Sequence, residues 1–216
     1  TQIVLGVDPA RFGDDRSVGY SIKNNSAQIV FNVSKEATTA IAGRIVTAID
    51  LYDQVYIDGT GLGSGVVDSA REQLNSSLEP SERLGHKIYE IHNGSAANHP
   101  ERFFNLRAEM FWHLRERLRP DTEPYLKLRI PDDPELINQL ASIKFFYSSN
   151  GRVQLESKDD MKKRIGKSPD KADALCLAAW AARPEKPERI IENSIYREFY
   201  DYKRKQRRGS SIASRL

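Results

Sequence analysis

One cysteine and four histidines in 216 residues exclude several kinds of chemistry. A lone thiol, Cys176, forms no internal disulfide and fits a reducing compartment. It lies in the apolar run 174–180, where a thiol is a buried packing group rather than a nucleophile. His86, His92, His99 and His113 have no zinc-like spacing with cysteine and read as surface or loop residues. No hydrophobic run reaches the length of a membrane span, and no signal peptide is visible, so no membrane partner is expected. Internal repeats and low-complexity blocks are lacking. The glycine-rich stretch 59–65 has no lysine, which excludes a Gly-x-x-x-x-Gly-Lys-Ser/Thr phosphate loop. The chain opens on Thr1 and enters a strand at once, so it reads as a fragment of something longer.

What is present fits a globular domain: 39% hydrophobic and 29% charged residues. The net charge of +3 is unevenly spread. Residues 183–216 hold ten Lys or Arg and five Asp or Glu, a balance of +5, which leaves −2 for residues 1–182. A folded body over 1–183 is therefore expected. A basic tail over 184–216, partly disordered or helical, follows the proline-containing linker 183–187.

Apolar runs predict strands over 2–8, 17–23 and 28–34, the last two split by the turn Asn24-Asn25-Ser26. Helical spacing of Ile41, Ile45, Val46 and Ile49 predicts a helix over 38–52. Then come a strand over 54–58, a helix through Val66, Val67, Ala70 and Leu74, and a strand over 87–91. A helix over 101–118 is followed by an extended stretch, 125–130, and a short helix, 134–140. A hairpin over 143–147 and 152–155 turns at Asn150-Gly151. The last body helix spans 169–182, with Ser168 as its N-cap and Pro169 as its first residue. Three strands in a meander, then strand and helix alternating, give an α/β fold: a mixed sheet flanked by helices.

Aspartates stand where these apolar elements begin and end. Asp8 closes the first strand, Asp58 the fourth, and Asp170 and Asp173 open the last helix, three residues apart on one face. Each has an ordinary reading: Asp8 before Pro9 and Asp58 before Gly59 as turn residues, Asp170 as a partner of the helix dipole. Together they make a carboxylate cluster of the kind that binds two divalent cations, Mg2+ or Mn2+, for phosphodiester cleavage. Asp15 in the following loop is a candidate for supporting those ligands from behind.

Lys158, Lys162, Lys163, Arg164, Lys167 and Lys171 crowd the approach to the last helix and form a candidate track for a DNA backbone, or else a solvated loop. In the tail, Lys203, Arg204, Lys205, Arg207 and Arg208 follow Tyr196, Phe199, Tyr200 and Tyr202 and offer a surface for DNA or a protein partner. The helix with Phe103, Phe104, Met110, Phe111 and Trp112 reads as core rather than a base-stacking platform. The hairpin before Lys158 reads as a plain edge hairpin, with a gate over the acidic site as the alternative.

In order along the chain, the stretches Gly6-Val7-Asp8-Pro9-Ala10 with Gly13-Asp14-Asp15, Tyr56-Ile57-Asp58-Gly59-Thr60-Gly61-Leu62-Gly63, Phe104-Asn105-Leu106-Arg107-Ala108-Glu109-Met110, Leu155-Glu156-Ser157-Lys158 and Ser168-Pro169-Asp170-Lys171-Ala172-Asp173-Ala174-Leu175 resemble the nuclease domain of the large terminase subunit of tailed bacteriophages. That resemblance covers roughly 3–182. It implies an RNase H-like fold and a metal-dependent endonuclease that cuts concatemeric double-stranded DNA during genome packaging, with little sequence specificity. The family's three catalytic acids map to Asp8, Asp58 and Asp170, with Asp173 a fourth metal position. Many members carry His-Asp-Asp where this chain has Ser168-Pro169-Asp170, so the roles of Asp170 and Asp173 stay undivided. Implied partners are an N-terminal ATPase domain, the small terminase subunit and the capsid portal, in the cytoplasm of an infected bacterium. A Holliday-junction-resolvase-like nuclease of the same fold and a non-catalytic DNA- or portal-docking module are the alternatives.

Overall fold

The computed structural model describes residues 2–10, 15–76 and 79–182. The expectations for Asp14 and for the basic tail fall outside them. Among the described residues, no helix is long and apolar enough to cross a membrane.

Five strands form the main sheet: β1 (Ile3–Asp8), β2 (Arg16–Lys23), β3 (Ser26–Ser34), β4 (Gln54–Asp58) and β5 (Ile88–Ile91), in the order β3-β2-β1-β4-β5. The first three are an antiparallel meander, and β4 and β5 are added in parallel. Asn24 and Asn25 both adopt positive φ (51° and 55°), the two-residue geometry that matches the twist of a hairpin, and asparagine tolerates it. Helices α1 (Thr38–Thr47) and α2 (Gly63–Leu74) follow β3 and β4; α3 (Leu106–Leu118), α4 (Pro134–Ser142), α5 (Lys158–Ile165) and α6 (Asp170–Ala181) come later in the chain. A separate hairpin joins β6 (Phe145–Tyr147) to β7 (Val153–Leu155).

Strand alternation decides where the acids point. Leu5 and Val7 of β1, and Val55 and Ile57 of β4, pack into a core with α1 and α2. Val4 and Tyr56 belong to the opposite core, with α3, α4 and α6. Gly6, Asp8 and Asp58 share that second face by period. Parallel register pairs Val7 with Ile57, so Asp8 and Asp58 leave neighbouring strands side by side.

Two features seat α6 on that face. A Cβ at Gly6 would lie 2.2 Å from the Ala178 nitrogen and 2.6 Å from the Ala174 carbonyl, so the helix backbone rests directly on β1 where only glycine fits. At the far end, the buried guanidinium of Arg117 donates to the carbonyls of Ala179 and Ala182, both at 2.9 Å, and to Asn25 Oδ1 at 2.8 Å. It thereby caps the C-terminus of α6 and ties it to the β2–β3 turn. Burial lowers the Arg117 pKa to about 10.

Four expectations need correction. The helix over 101–118 starts only at Leu106, because Asn105 caps it by accepting from the Ala108 N–H. The stretch 125–130 begins in a turn over 124–126 rather than extended, and meets β3 at one bridge, Ser26 with Arg129. The N-cap of α6 is Pro169, not Ser168. Residues 158–165, read as a solvated loop or track, are helical.

A buried carboxylate cluster around Lys158

The three separated segments converge. Asp8, Asp58, Asp170 and Asp173 are 8%, 3%, 6% and 4% exposed, at the tips of β1 and β4 and in the first turn of α6. Four buried carboxylates in one place cost far more than the fold regains from packing unless something offsets their charge.

Lys158 supplies that offset. Its Nζ lies 3.0 Å from Asp173 Oδ2, 3.4 Å from Asp58 Oδ2 and 3.7 Å from Asp8 Oδ1. Burial disfavours the ammonium, but Asp173, Asp8 and Asp58 together outweigh it and raise the Lys158 pKa. Asp8 is raised well above the usual carboxylate range, mainly by burial; Lys158 opposes the rise, and Asp173, Asp58 and Asp170 add to it. Asp170 is also raised by burial, in part offset by the Arg16 N–H at 2.8 Å.

Three of the four carboxylates, Asp58, Asp170 and Asp173, are also held from outside the cluster. Asp58 accepts from the Thr60 N–H at 3.0 Å and from Asn93 Nδ2 at 2.6 Å. A Cβ at Gly63 would fall 1.7 Å from the Asp58 carbonyl, so α2 starts hard against the end of β4. Arg107 reaches from α3 to Asp173 Oδ1 at 3.5 Å, donates to the Glu156 carbonyl at 3.1 Å and lies over the Phe111 ring. Neither Asn93 nor Arg107 was singled out from sequence as a site residue. Arg107 sits in a stretch whose aromatics announce core, and Asn93 is a loop residue with only tertiary meaning.

Solved structures share this architecture. No protein-family model matches the chain, and no curated protein matches it in sequence. The nuclease domain of the large terminase subunit gp2 of bacterial virus Sf6 aligns with a TM-score of 0.64 at 20% identity, over 87% of this chain and 89% of that one. A calcium-bound mutant of the same protein gives 0.67 at 22% identity, with the same coverage. The large terminase nuclease from thermophilic phage G20c with bound magnesium aligns at 0.57 and 12% identity, over 83% of this chain and 80% of that one. This chain has their fold. It is RNase H-like, as the ordered motifs suggested.

The donor set also suits hard divalent ions, which take carboxylate oxygens. Asp173 Oδ2 is buried, with no well-formed hydrogen bond and only the Lys158 ammonium against it. Among the described residues no three acidic, histidine or cysteine side chains are arranged to enclose an ion as they stand. Lys158 occupies the point on which Asp8, Asp58 and Asp173 converge.

The remaining basic residues divide. Lys171 is buried and bound to Asp133 at 2.6 Å and Glu135 at 2.9 Å. Arg164 is held by Glu156 and the Ser142 carbonyl. Lys162 binds Asp15 at 2.7 Å, which places Asp15 on the rim. Lys167 pairs with Glu135 yet stays half exposed, and Lys163 is 79% exposed. Helix α5, which carries Lys162, Lys163 and Arg164, has a signature that would have revealed it. Ser157 accepts from the Asp160 N–H, Asp159 and Asp160 fill the first turn, and Gly166 closes the helix at φ 80°. His99, read as an ordinary surface residue, contacts the buried Glu109 at 2.6 Å and helps fix its loop to α3.

Proposed function

We propose that this chain is a metal-dependent DNA endonuclease, the nuclease portion of a phage large terminase, carried by residues 1–183. The observation that carries the proposal is the convergence of four buried aspartates at the tips of β1 and β4 and the start of α6. Asp8, Asp58, Asp170 and Asp173 would hold two Mg2+ or Mn2+ ions. When bound, such ions activate water and stabilise the leaving oxygen of a phosphodiester.

The protein's own residues prepare that centre. Thr60 and Asn93 fix the Asp58 carboxylate, Arg16 fixes Asp170, and Arg107 holds Asp173. Lys158 neutralises the cluster in the metal-free state and must leave its seat for cations to enter. Lys163 and Lys167, with Lys162 beside them, are the residues of the proposed track whose charges lie toward solvent, where a phosphate backbone can meet them. Lys171 and Arg164 brace the site instead. Duplex DNA is the substrate on this reading, cut with little sequence specificity. The ATPase domain, small subunit and portal are partners in the host cytoplasm, and tail residues Lys203, Arg204, Lys205, Arg207 and Arg208 contact DNA or one of those proteins.

Cleavage of supercoiled plasmid tests the proposal. Wild-type protein should nick and linearise it with Mn2+ or Mg2+ and be silent in chelator. Metal-independent cutting, or none under any condition, overturns it.

A further inference from the structure

Beside the carboxylate cluster lies a cleft of about 290 Å3, with Asp58 and Lys158 on its wall. Its volume is at the lower end of the ~300–1,000 Å3 typical of pockets for small organic ligands. The remaining lining is rich in side-chain amides: Asn93, Asn105 and Gln154. We propose that this cleft receives one nucleobase next to the scissile phosphate and gives the nuclease a preference for the base at that position. The inference rests on the nuclease reading and adds a substrate subsite to it.

Hydrogen-bonding capacity in the cleft points to a base. Asn105 spends its Oδ1 on the Ala108 N–H, which leaves its Nδ2 as a donor. Asn93 spends its Nδ2 on Asp58, which leaves its Oδ1 as an acceptor. Among the described residues the Gln154 amide has no partner, so it offers both. Paired donors and acceptors on planar amides match the edges of nucleobases, as in the bidentate contacts of Asn and Gln to adenine.

Charge argues against a second phosphate as the occupant. In the metal-free state the Lys158 ammonium is held by the aspartates, and Arg107 is engaged by Asp173, the Glu156 carbonyl and the Phe111 ring. The Asp58 carboxylate on the wall disfavours an anion. Leu155 and Gly94 offer apolar surface for the face of a ring. A base entering from a duplex must leave its stack, and the cost differs between bases and steps, which adds to any preference.

Two variants separate the subsite from the catalytic centre. Asn105→Asp keeps the helix cap, because aspartate is as good an N-cap, but replaces the donor with an acceptor. Gly94 lies on the cleft wall and a new Cβ there meets no atom within 4 Å, so Gly94→Leu starts its side chain without a clash and adds bulk at the cleft. Binding is read first by NMR: the four deoxynucleosides and, separately, inorganic phosphate are titrated against the side-chain amide signals of Asn93, Asn105 and Gln154. Deoxynucleosides should shift these signals with one base favoured, and phosphate should not; Gly94→Leu should abolish the shifts. Sequencing the ends left on random duplex DNA should then show at least a two-fold base skew at one position beside the cut, flattened by Asn105→Asp. No shift with any nucleoside, a larger response to phosphate, or a skew unchanged in Asn105→Asp overturns the subsite. Nucleoside binding without cleavage would instead overturn the nuclease reading and leave the pocket standing.

Discussion

Replacing Lys158 with methionine keeps most of the side-chain volume and removes the one cation at the centre of the cluster. At separations of 3.0, 3.4 and 3.7 Å, each carboxylate contact is worth roughly 5 kcal/mol in an effective dielectric of about 20, before any cost of desolvation. Desolvating the ammonium cancels much of that, and losing one partner of a buried ion pair costs about 3–5 kcal/mol net. For a domain of this size about 1 kcal/mol shifts Tm by roughly 2–4 °C, so metal-free Lys158→Met should melt on the order of 10 °C below wild type. Divalent ions should reverse the order of responses. In wild type an entering cation must displace the ammonium; in Lys158→Met it meets an uncompensated cluster. The variant should therefore bind Mn2+ more tightly and gain more Tm from it. Scanning calorimetry in chelator and in millimolar Mn2+, with titration calorimetry for affinity, measures both effects. A variant that melts within 2 °C of wild type in chelator and binds Mn2+ no better would refute the role assigned to Lys158.

Other parts of the account are as exposed to test. Asp8→Asn should lower plasmid cleavage at least a thousand-fold while leaving the metal-free Tm unchanged or higher, since it relieves repulsion among buried carboxylates; near-normal cleavage would remove Asp8 from the centre. Burial pushes the Glu135 carboxyl up, but hydrogen bonds from Lys167, Lys171 and Arg16 outweigh it and hold it down at about 2. Its folded pKa lies below the unfolded value, so these pairs contribute fully above about pH 4.5 and the contribution is lost as pH falls towards 2. Glu135→Gln should therefore cost up to about 3 kcal/mol in urea unfolding at pH 7 and show a flatter loss of stability between pH 4.5 and 2; an unchanged slope would contradict this. Gly6→Val should cost about 3 kcal/mol or more and weaken cleavage as well, because a larger side chain pushes α6 and its aspartates off β1; a stable, fully active variant would refute that packing.

Much of this arrangement was legible in the sequence because it is local. Asp8 and Asp58 each end a short apolar run, and two such runs paired in parallel must deliver their last residues to one edge of a sheet. Strand period then sets their face. Asn24-Asn25 announced its turn by composition. The rest depends on contacts between distant segments. Nothing near Asn93 indicates that its amide will hold Asp58, and nothing near Arg107 shows that it will span from α3 to Asp173. Lys158 stood out in its basic stretch, where the hairpin exits, but as a cation for the DNA backbone, because the three carboxylates that surround it come from positions 8, 58 and 173. The same stretch hid α5, although Ser157, Asp160 and Gly166 mark both its ends. Residues 101–105 looked helical by hydrophobic spacing, yet the capping amide of Asn105 decided the boundary.

Anomalous diffraction from crystals soaked in manganese tests the central claim most directly. The account predicts two peaks, about 4 Å apart, among Asp8, Asp58, Asp170 and Asp173, with the Lys158 ammonium displaced from its seat. A cluster that takes up no manganese, with Lys158 still bound to Asp8, Asp58 and Asp173, would contradict it.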